Sequence, residues 1–351
     1  MKILFFVWIL LLIDNVSIGQ TFHKNIISKD TTRYNAFPSI CQVGNSLYLS
    51  YVSRVNASHS DTTGGMKYMV SNDYGLTWTV CEKFDYTISK KYCHFIMAEG
   101  RVFVDKSKKD SLIEQGKQIV EVDSNTIGYL SSNYIRIKNN KQVKEMLFGD
   151  TLQVIGLPNM NGCIVSSNKV SLQAIYGNKI HENLDYPFIL RSTNKGKNWN
   201  LISILKEDSD IGINETALVE TVDHKIIAMM RSSNNGHLYQ SVSIDDGLTW
   251  TTPKKTAIWG YPASLIRLKN DDILCTYGYR KKPIGIRAVV SKDNGISWDL
   301  DNEIILRNDA NGYSSDTGYP ISIEHEGKIL TIYYISINNI VSIQSTIWRM
   351  E

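Results

Sequence analysis

Carboxylates, arginines and tyrosines, rather than clusters of cysteine or histidine, are the residues of this sequence whose types and settings offer chemistry. Ile213-Asn-Glu215-Thr-Ala-Leu-Val-Glu220 sets a carboxylate at the head of an apolar run, and Arg231 follows it across one hairpin. Asp316-Thr-Gly-Tyr319-Pro-Ile-Ser322 carries a tyrosine, with Tyr313 shortly before it, and Gly278-Tyr-Arg280-Lys-Lys-Pro-Ile-Gly-Ile-Arg287 carries two arginines. Ser53-Arg54-Val-Asn-Ala-Ser-His59-Ser-Asp61 joins an arginine, a histidine and a carboxylate. Carboxylates serve as general acids or bases, and arginine forks hold anionic oxygens through paired, permanently charged hydrogen bonds. A tyrosine, with an ordinary pKa of about 10, becomes a nucleophile only beside a base that takes its proton. Plainer readings exist for each: Glu215 and Arg231 as solvated strand ends, Tyr319 as one core tyrosine among 19, and 53–61 as a polar loop.

Composition narrows the classes these residues can serve. A chain with 42% hydrophobic and 21% charged residues holds enough apolar material for a large core, which excludes a disordered protein. The formal charge of +3, with no basic run, argues against a nucleic-acid surface and leaves a small anionic substrate open. Cys41, Cys81, Cys93, Cys163 and Cys275 are odd in number and lack CxxC spacing or histidine partners. They read as small buried residues rather than a zinc site or a disulfide framework. At the start, Lys2, an apolar stretch from Ile3 to Ile13 and then Ser17-Ile-Gly19 predict a signal peptide over 1–19, cleaved before Gln20. That stretch is shorter than the roughly 20 residues of a bilayer span. The expected product, 20–351, is one domain, monomeric, secreted or periplasmic, and not inserted in a membrane.

The elements that must position the reactive segments announce themselves as repeats. Ser71-Asn-Asp-Tyr-Gly-Leu-Thr-Trp78, Ser192-Thr-Asn-Lys-Gly-Lys-Asn-Trp199, Ser243-Ile-Asp-Asp-Gly-Leu-Thr-Trp250 and Ser291-Lys-Asp-Asn-Gly-Ile-Ser-Trp298 all fit S-x-(D/N)-x-G-x-x-W. Such an octet is a tight hairpin in which the Asp or Asn side chain bonds nearby amides, the glycine is left-handed and the tryptophan packs between sheets. Asp73, Asp245 and Asp293 are therefore structural. The intervals of 51 and 48 residues between the last three octets each hold one four-stranded blade, while the 121 residues between the first two hold two blades and an insertion. Between octets stand short β-branched or alternating runs such as Ser46–Val52, Lys225–Met230 and Lys328–Tyr334. Only Ser107–Lys117 hints weakly at a helix. The expectation is an all-β, six-bladed β-propeller, with 101–150 as either a divergent blade or a lid.

These Asp boxes, the N-E-x-x-L-V-E stretch, the arginine after the next strand and a late G-Y-P resemble bacterial exo-α-sialidases and the wider sialidase-like propellers, over nearly the whole chain after residue 19. In that family the sugar's anomeric carbon bears a carboxylate, which disfavours a carboxylate nucleophile, and a tyrosine attacks instead. The resemblance implies Tyr319 as nucleophile, with Tyr313 competing, Glu215 as its base and Asp61 as acid/base. It further implies Arg231 and Arg280 clamping the substrate carboxylate, with Arg287 as the other arginine of its segment. Arg54 and His59 are implied beside them, with no metal or cofactor required. The first clamp arginine of the family is replaced by Ala36 in Arg33-Tyr-Asn-Ala-Phe-Pro38, and Arg33 lies at an odd offset on a strand. Another acidic or rhamnose-bearing glycan, cleaved by hydrolysis or a lyase reaction, is the alternative substrate, and a non-catalytic carbohydrate-binding propeller the alternative role.

Overall fold

The computed structural model describes residues 22–55, 64–81, 162–179, 184–194, 200–208, 211–312 and 315–350, together with the backbone of the strands between 101 and 156. The expected leader lies outside these residues, as does nearly all of 107–117. Strand β1 (His23–Ser28) precedes a four-stranded meander of β2 (Tyr34–Val43), β3 (Ser46–Arg54), β4 (Gly64–Ser71) and β5 (Thr79–Val80). Next come β6 (Arg101–Asp105), β7 (Ile119–Glu121) and β8 (Thr126–Leu130), a separate three-stranded sheet. β9 (Ile135–Asn140), β10 (Val143–Phe148), β11 (Leu152–Gly156), β12 (Cys163–Val165), β13 (Ser171–Lys179), β14 (Tyr186–Ser192) and β15 (Asn200–Ile204) share one sheet, in which β11 and β12 pair with different halves of β13. The meanders β16 (Ile213–Glu220), β17 (Ile226–Ser232), β18 (His237–Ser243), β19 (Lys254–Trp259) and β20 (Ala263–Arg267), β21 (Ile273–Tyr279), β22 (Ile284–Ser291), β23 (Ile304–Ala310) follow. Finally β24 (Gly318–His325), β25 (Lys328–Ile337) and β26 (Ile340–Trp348) pair with β1, so the first strand completes the last blade.

Among the described residues the all-β propeller is thus present, but with five blades and not the expected six. The long interval between the first two boxes holds one blade centred on β13 and β14. The rest of its strands go to the three-stranded sheet and to β9 and β10, which extend that blade's own sheet through β11. Length alone counted them as a blade.

Sheets packed on both faces need apolar residues at nearly every position. β17 (IIAMMRS) and β25 (KILTIYYISI) are buried almost throughout, whereas β3 alternates and turns Leu47, Leu49, Tyr51 and Ser53 inward. The core therefore lies in seams between blades. Leu47 and Leu49 meet Leu330 and Ile332, Leu172 and Ile189 meet Leu218 and Ala228, and Ile227 and Met229 meet Leu265 and Cys275. No helix among the described residues is long and apolar enough to cross a membrane.

The octets at 71, 243 and 291 share one hydrogen-bonded turn, except that the Trp298 indole of the third donates to Gln240 Oε1 at 2.9 Å rather than to its own glycine carbonyl. In the second, Gly247 N donates to Ser243 Oγ at 2.9 Å, Thr249 N to Asp245 Oδ1 at 2.8 Å, Thr249 Oγ1 to Asp245 Oδ2 at 2.5 Å and Trp250 Nε1 to Gly247 O at 3.0 Å. Asp246 and Gly247 are both left-handed, at φ 54° and 80°. Gly247 also has a packing duty, since a Cβ there would stand 2.7 Å from Leu172 of the preceding blade. Burial alone would raise the Asp245 carboxyl, but the bonds from Thr249 and Ser243 hold it below the ordinary carboxylate range. The octet at 192 shows its Ser192–Asn194 contact at 2.9 Å, and its residues 195–199 lie outside the described set.

Candidate active site

The boxes follow the C-terminal ends of β4, β18 and β22, so the starts of the inner strands β2, β16, β20 and β24 lie at the opposite end of the blades. Three of those starts are irregular. The pairing register shifts between Ala36 and Ser39, between Ile213 and Thr216, and between Gly318 and Ile321. Such bulges re-aim side chains out of the alternating pattern. Phe37 and Tyr319 sit within them at φ 57° and 47°, a left-handed conformation that costs a bulky residue energy and that folded structures reserve for special positions. At two of these bulges the sequence signal is an aromatic residue before proline, Phe37-Pro38 and Tyr319-Pro320; Tyr261-Pro262 repeats the pair ahead of β20, whose pairing is regular.

The heads of β16 and β24, with the end of β17, bring three of the expected residues together. The Tyr319 hydroxyl donates a very short hydrogen bond to Glu215 Oε1, and Arg231 Nη1 donates to Glu215 Oε2 at 2.7 Å. The Glu215–Arg231 pair is mostly buried, with side chains 16% and 25% exposed, which strengthens the charge interaction and makes either partner costly to lose. Asn214, the other bulge residue, accepts from Glu215 N at 2.8 Å and donates to Asp185 at 3.1 Å, fixing the direction of the glutamate. Burial, then the Glu215 charge, pushes the Tyr319 phenol well above its ordinary pKa, and Arg231 only partly opposes them. Burial would lower the Arg231 guanidinium, yet the Glu215 carboxylate more than offsets this and holds it above its usual value. Tyr319 therefore stays a phenol at neutral pH, with an acceptor already in place for its proton.

Arg280 stands on the neighbouring blade. Its Nε donates to Thr317 O at 3.0 Å, and its Nη2 lies 3.5 Å from Asp316 Oδ1. Tyr261 separates the two arginines, its ring 4.5 Å from the Arg231 guanidinium and 5.1 Å from that of Arg280. Glycine allows this approach, because a Cβ on Gly278 would come within 2.8 Å of both Gly318 Cα and Tyr261 O. Asp316 also accepts from Tyr34, in a very short bond, and from Tyr334 at 2.5 Å. Arg54 lies 5.4 Å from the Phe37 ring and 5.8 Å from that of Tyr34, and Phe37 meets Tyr319 edge-on at 4.9 Å. Three buried guanidinium nitrogens, Arg231 Nε, Arg54 Nη1 and Arg287 Nε, have no hydrogen-bond partner among the described residues, and the first two border this cluster. Unsatisfied buried donors are uncommon in folded proteins and suit an anionic ligand.

Asp61, His59 and Tyr313 lie outside the described residues. Arg287 is held by Glu303 and stacks 3.4 Å over Tyr279, and exposed Arg33 faces Asp30 at 3.7 Å. Ala36 is fully buried, so β2 brings no cation at that point. Sequence reasoning missed Phe37, Tyr261 and the Asp316 pair of tyrosines. A cavity of about 160 Å³ lined by Leu47, Tyr74, His325 and Leu330 belongs to the box end, away from Glu215.

Comparison with known proteins places the architecture. A family model described as a BNR repeat-like domain matches residues 152–332. No curated protein matches the sequence. Among solved structures, a protein of unknown function from Dyadobacter fermentans DSM 18053 is similar, with a TM-score of 0.68, 19% identity and coverage of 93% of this chain and 98% of the other. The Hadza microbial sialidase Hz136 aligns with a TM-score of 0.55 and 15% identity over 90% of this chain and 66% of its own. Trypanosoma rangeli sialidase, solved in complex with 2,3-difluorosialic acid as a covalent intermediate, gives 0.56 and 14% over 93% and 58%. The chain thus spans less than two thirds of either sialidase, and at these identities the likeness is one of fold.

Proposed function

The chain belongs to the BNR repeat-like domain family, sialidase-like propellers, and we propose that it is a retaining exo-α-sialidase that releases terminal sialic acid through a tyrosine nucleophile. The observation that carries this reading is the Tyr319–Glu215–Arg231 chain of hydrogen bonds, which joins the heads of β24 and β16 and the end of β17 across two blades. Glu215 accepts the Tyr319 proton as the phenolic oxygen bonds to the anomeric carbon and the glycosidic C–O bond breaks. Asp61 gives its proton to the departing oxygen, then takes one from the water that cleaves the tyrosyl–sugar bond, and the Glu215 proton returns to Tyr319. Arg231 and Arg280, on either side of Tyr261, hold the sugar carboxylate, with Arg54 on the first blade and His59 as further substrate-binding residues. No step requires a metal or a cofactor. The Trypanosoma rangeli complex supports the covalent route by analogy of fold. The leader expected at 1–19 fits action outside the cytosol.

A second reading rests on Ala36. With no cation at that point, the clamp has lost a charge-assisted contact of about 1.5 to 3 kcal/mol, and a uronic acid becomes a competing substrate. Fluorophore release from an aryl 2-linked sialic acid glycoside, run beside the matching uronides and with Tyr319→Phe, separates the two. Release from the sialoside that vanishes in Tyr319→Phe supports the first; release from a uronide alone supports the second.

A further inference from the structure

Next to Tyr261, the same end of the propeller carries an aromatic and cationic surface that the proposed reaction does not use. Trp259 ends β19 and lies 5.9 Å from Tyr261 and 5.3 Å, edge-on, from Tyr279. Gly236 makes room for the indole, since a Cβ there would stand 2.4 Å from Trp259 Nε1. The exposed Lys281 rests its ammonium 4.1 Å from the centre of the indole ring. His237 is paired across the strands with Trp259, and its buried Nδ1 has no partner among the described residues. Burial first, then the charges of Lys255 and Lys281, keep His237 below its ordinary pKa, against the opposing pull of backbone hydrogen bonds at Thr256 and Ile258. Neither lysine pairs with a carboxylate among the described residues.

We propose that Trp259, Lys281 and His237 form a second sugar subsite, which takes an acidic residue linked to the terminal sugar held by Arg231 and Arg280. A half-buried indole offers the flat apolar face on which the C–H side of a pyranose lies, while the flanking Lys281 ammonium selects an anionic ring over a neutral one and neutral His237 offers a ring nitrogen for a hydrogen bond. An exposed Lys–indole contact is weak, so a ligand reaches the covered face by moving one flexible side chain. Tyr261 is shared: its ring borders both clamp arginines and Trp259, which makes the two subsites adjacent. The substrate class is therefore an acidic oligosaccharide with at least two charged units at its end. This inference rests on the reading of Arg231 and Arg280 as a carboxylate clamp.

The test is calorimetric titration of the full chain, in a Tyr319→Phe background so that nothing is cleaved, with N-acetylneuraminic acid, its 2,8-linked dimer and digalacturonic acid. The dimer is expected to bind about tenfold more tightly than the monomer. Trp259→Ala and, separately, Lys281→Ala should bring that ratio to within about twofold while the monomer binds as before. Lys281 is exposed, so its removal leaves the fold intact even where loss of the packed indole does not. A dimer-to-monomer ratio near one in the parent, or a ratio that survives Lys281→Ala, overturns the subsite, as does binding of none of the three probes. If both sialic ligands fail while digalacturonate binds in a Lys281-dependent way, the subsite stands and the sialic acid reading falls.

Discussion

Glu215→Gln removes one charge and leaves the shape, and its consequences can be worked from two contacts, with Arg231 and with Tyr319. The Gln carbonyl can still accept from Arg231 at the 2.7 Å position, so the fold loses a charge-assisted hydrogen bond, roughly 1.5 to 3 kcal/mol, rather than the whole buried pair. Catalysis loses more. A neutral amide cannot take the Tyr319 proton, and a positioned general base contributes about 10² to 10⁴ in rate, or about 2.7 to 5.4 kcal/mol. The pH dependence separates the two effects. Burial and the Glu215 charge together hold the Tyr319 phenol high, so removing the charge lets it fall back toward ordinary values. The variant's residual rate should then climb with pH as free phenolate forms without help. The assay is kcat for the aryl sialoside between pH 5 and 10, beside thermal melting of the same preparation. A folded Glu215→Gln protein with kcat within threefold of the parent would refute the base assignment.

Gly278→Ala places a methyl 2.8 Å from Gly318 Cα and from Tyr261 O; overpacking at that blade junction should cost about 1 to 3 kcal/mol and depress activity with it, and an unchanged melting temperature would contradict the close approach. Asp245→Ala deletes the acceptor for Ser243, Thr249 N and Thr249 Oγ1, so melting should drop by about 1 to 2 kcal/mol with kcat/KM kept, because the boxes lie at the other end of the blades. Tyr34, Tyr277, Tyr319 and Tyr334 are all raised, chiefly by burial. Each folded phenol keeps its proton longer than the unfolded one, so their contribution is full below about pH 10 and is lost as pH rises above it. Circular dichroism melts from pH 8 to 11 should show that alkaline loss; a flat melting temperature to pH 11 would not fit.

How much of this was legible in the chain follows from what each signal encodes. The S-x-(D/N)-x-G-x-x-W turns are local, closed by hydrogen bonds within eight residues, so their sequence carries the propeller directly. The blade number was not local. A 121-residue interval reads the same whether its strands make a blade or, as β9 and β10 do, lengthen a neighbour's sheet. In the site, Glu215, Arg231, Tyr319 and Arg280 were named from motif context, but their geometry depends on bulges at 36–39, 213–216 and 318–321 that strand alternation cannot reveal. Tyr34, Tyr334 and Asp316 escaped notice because they meet across 282 and 18 residues of chain, with only the aromatic-proline pairs hinting at the strand heads.

The central claim is that Tyr319 attacks the sugar. Incubation with 2,3-difluorosialic acid, acid quench, proteolysis and mass spectrometry test it at the bond itself. The account predicts a sugar adduct on the peptide containing Tyr319, absent from Tyr319→Phe and formed far more slowly by Glu215→Gln. An adduct on Tyr313 or on a carboxylate, or its persistence in Tyr319→Phe, would contradict it.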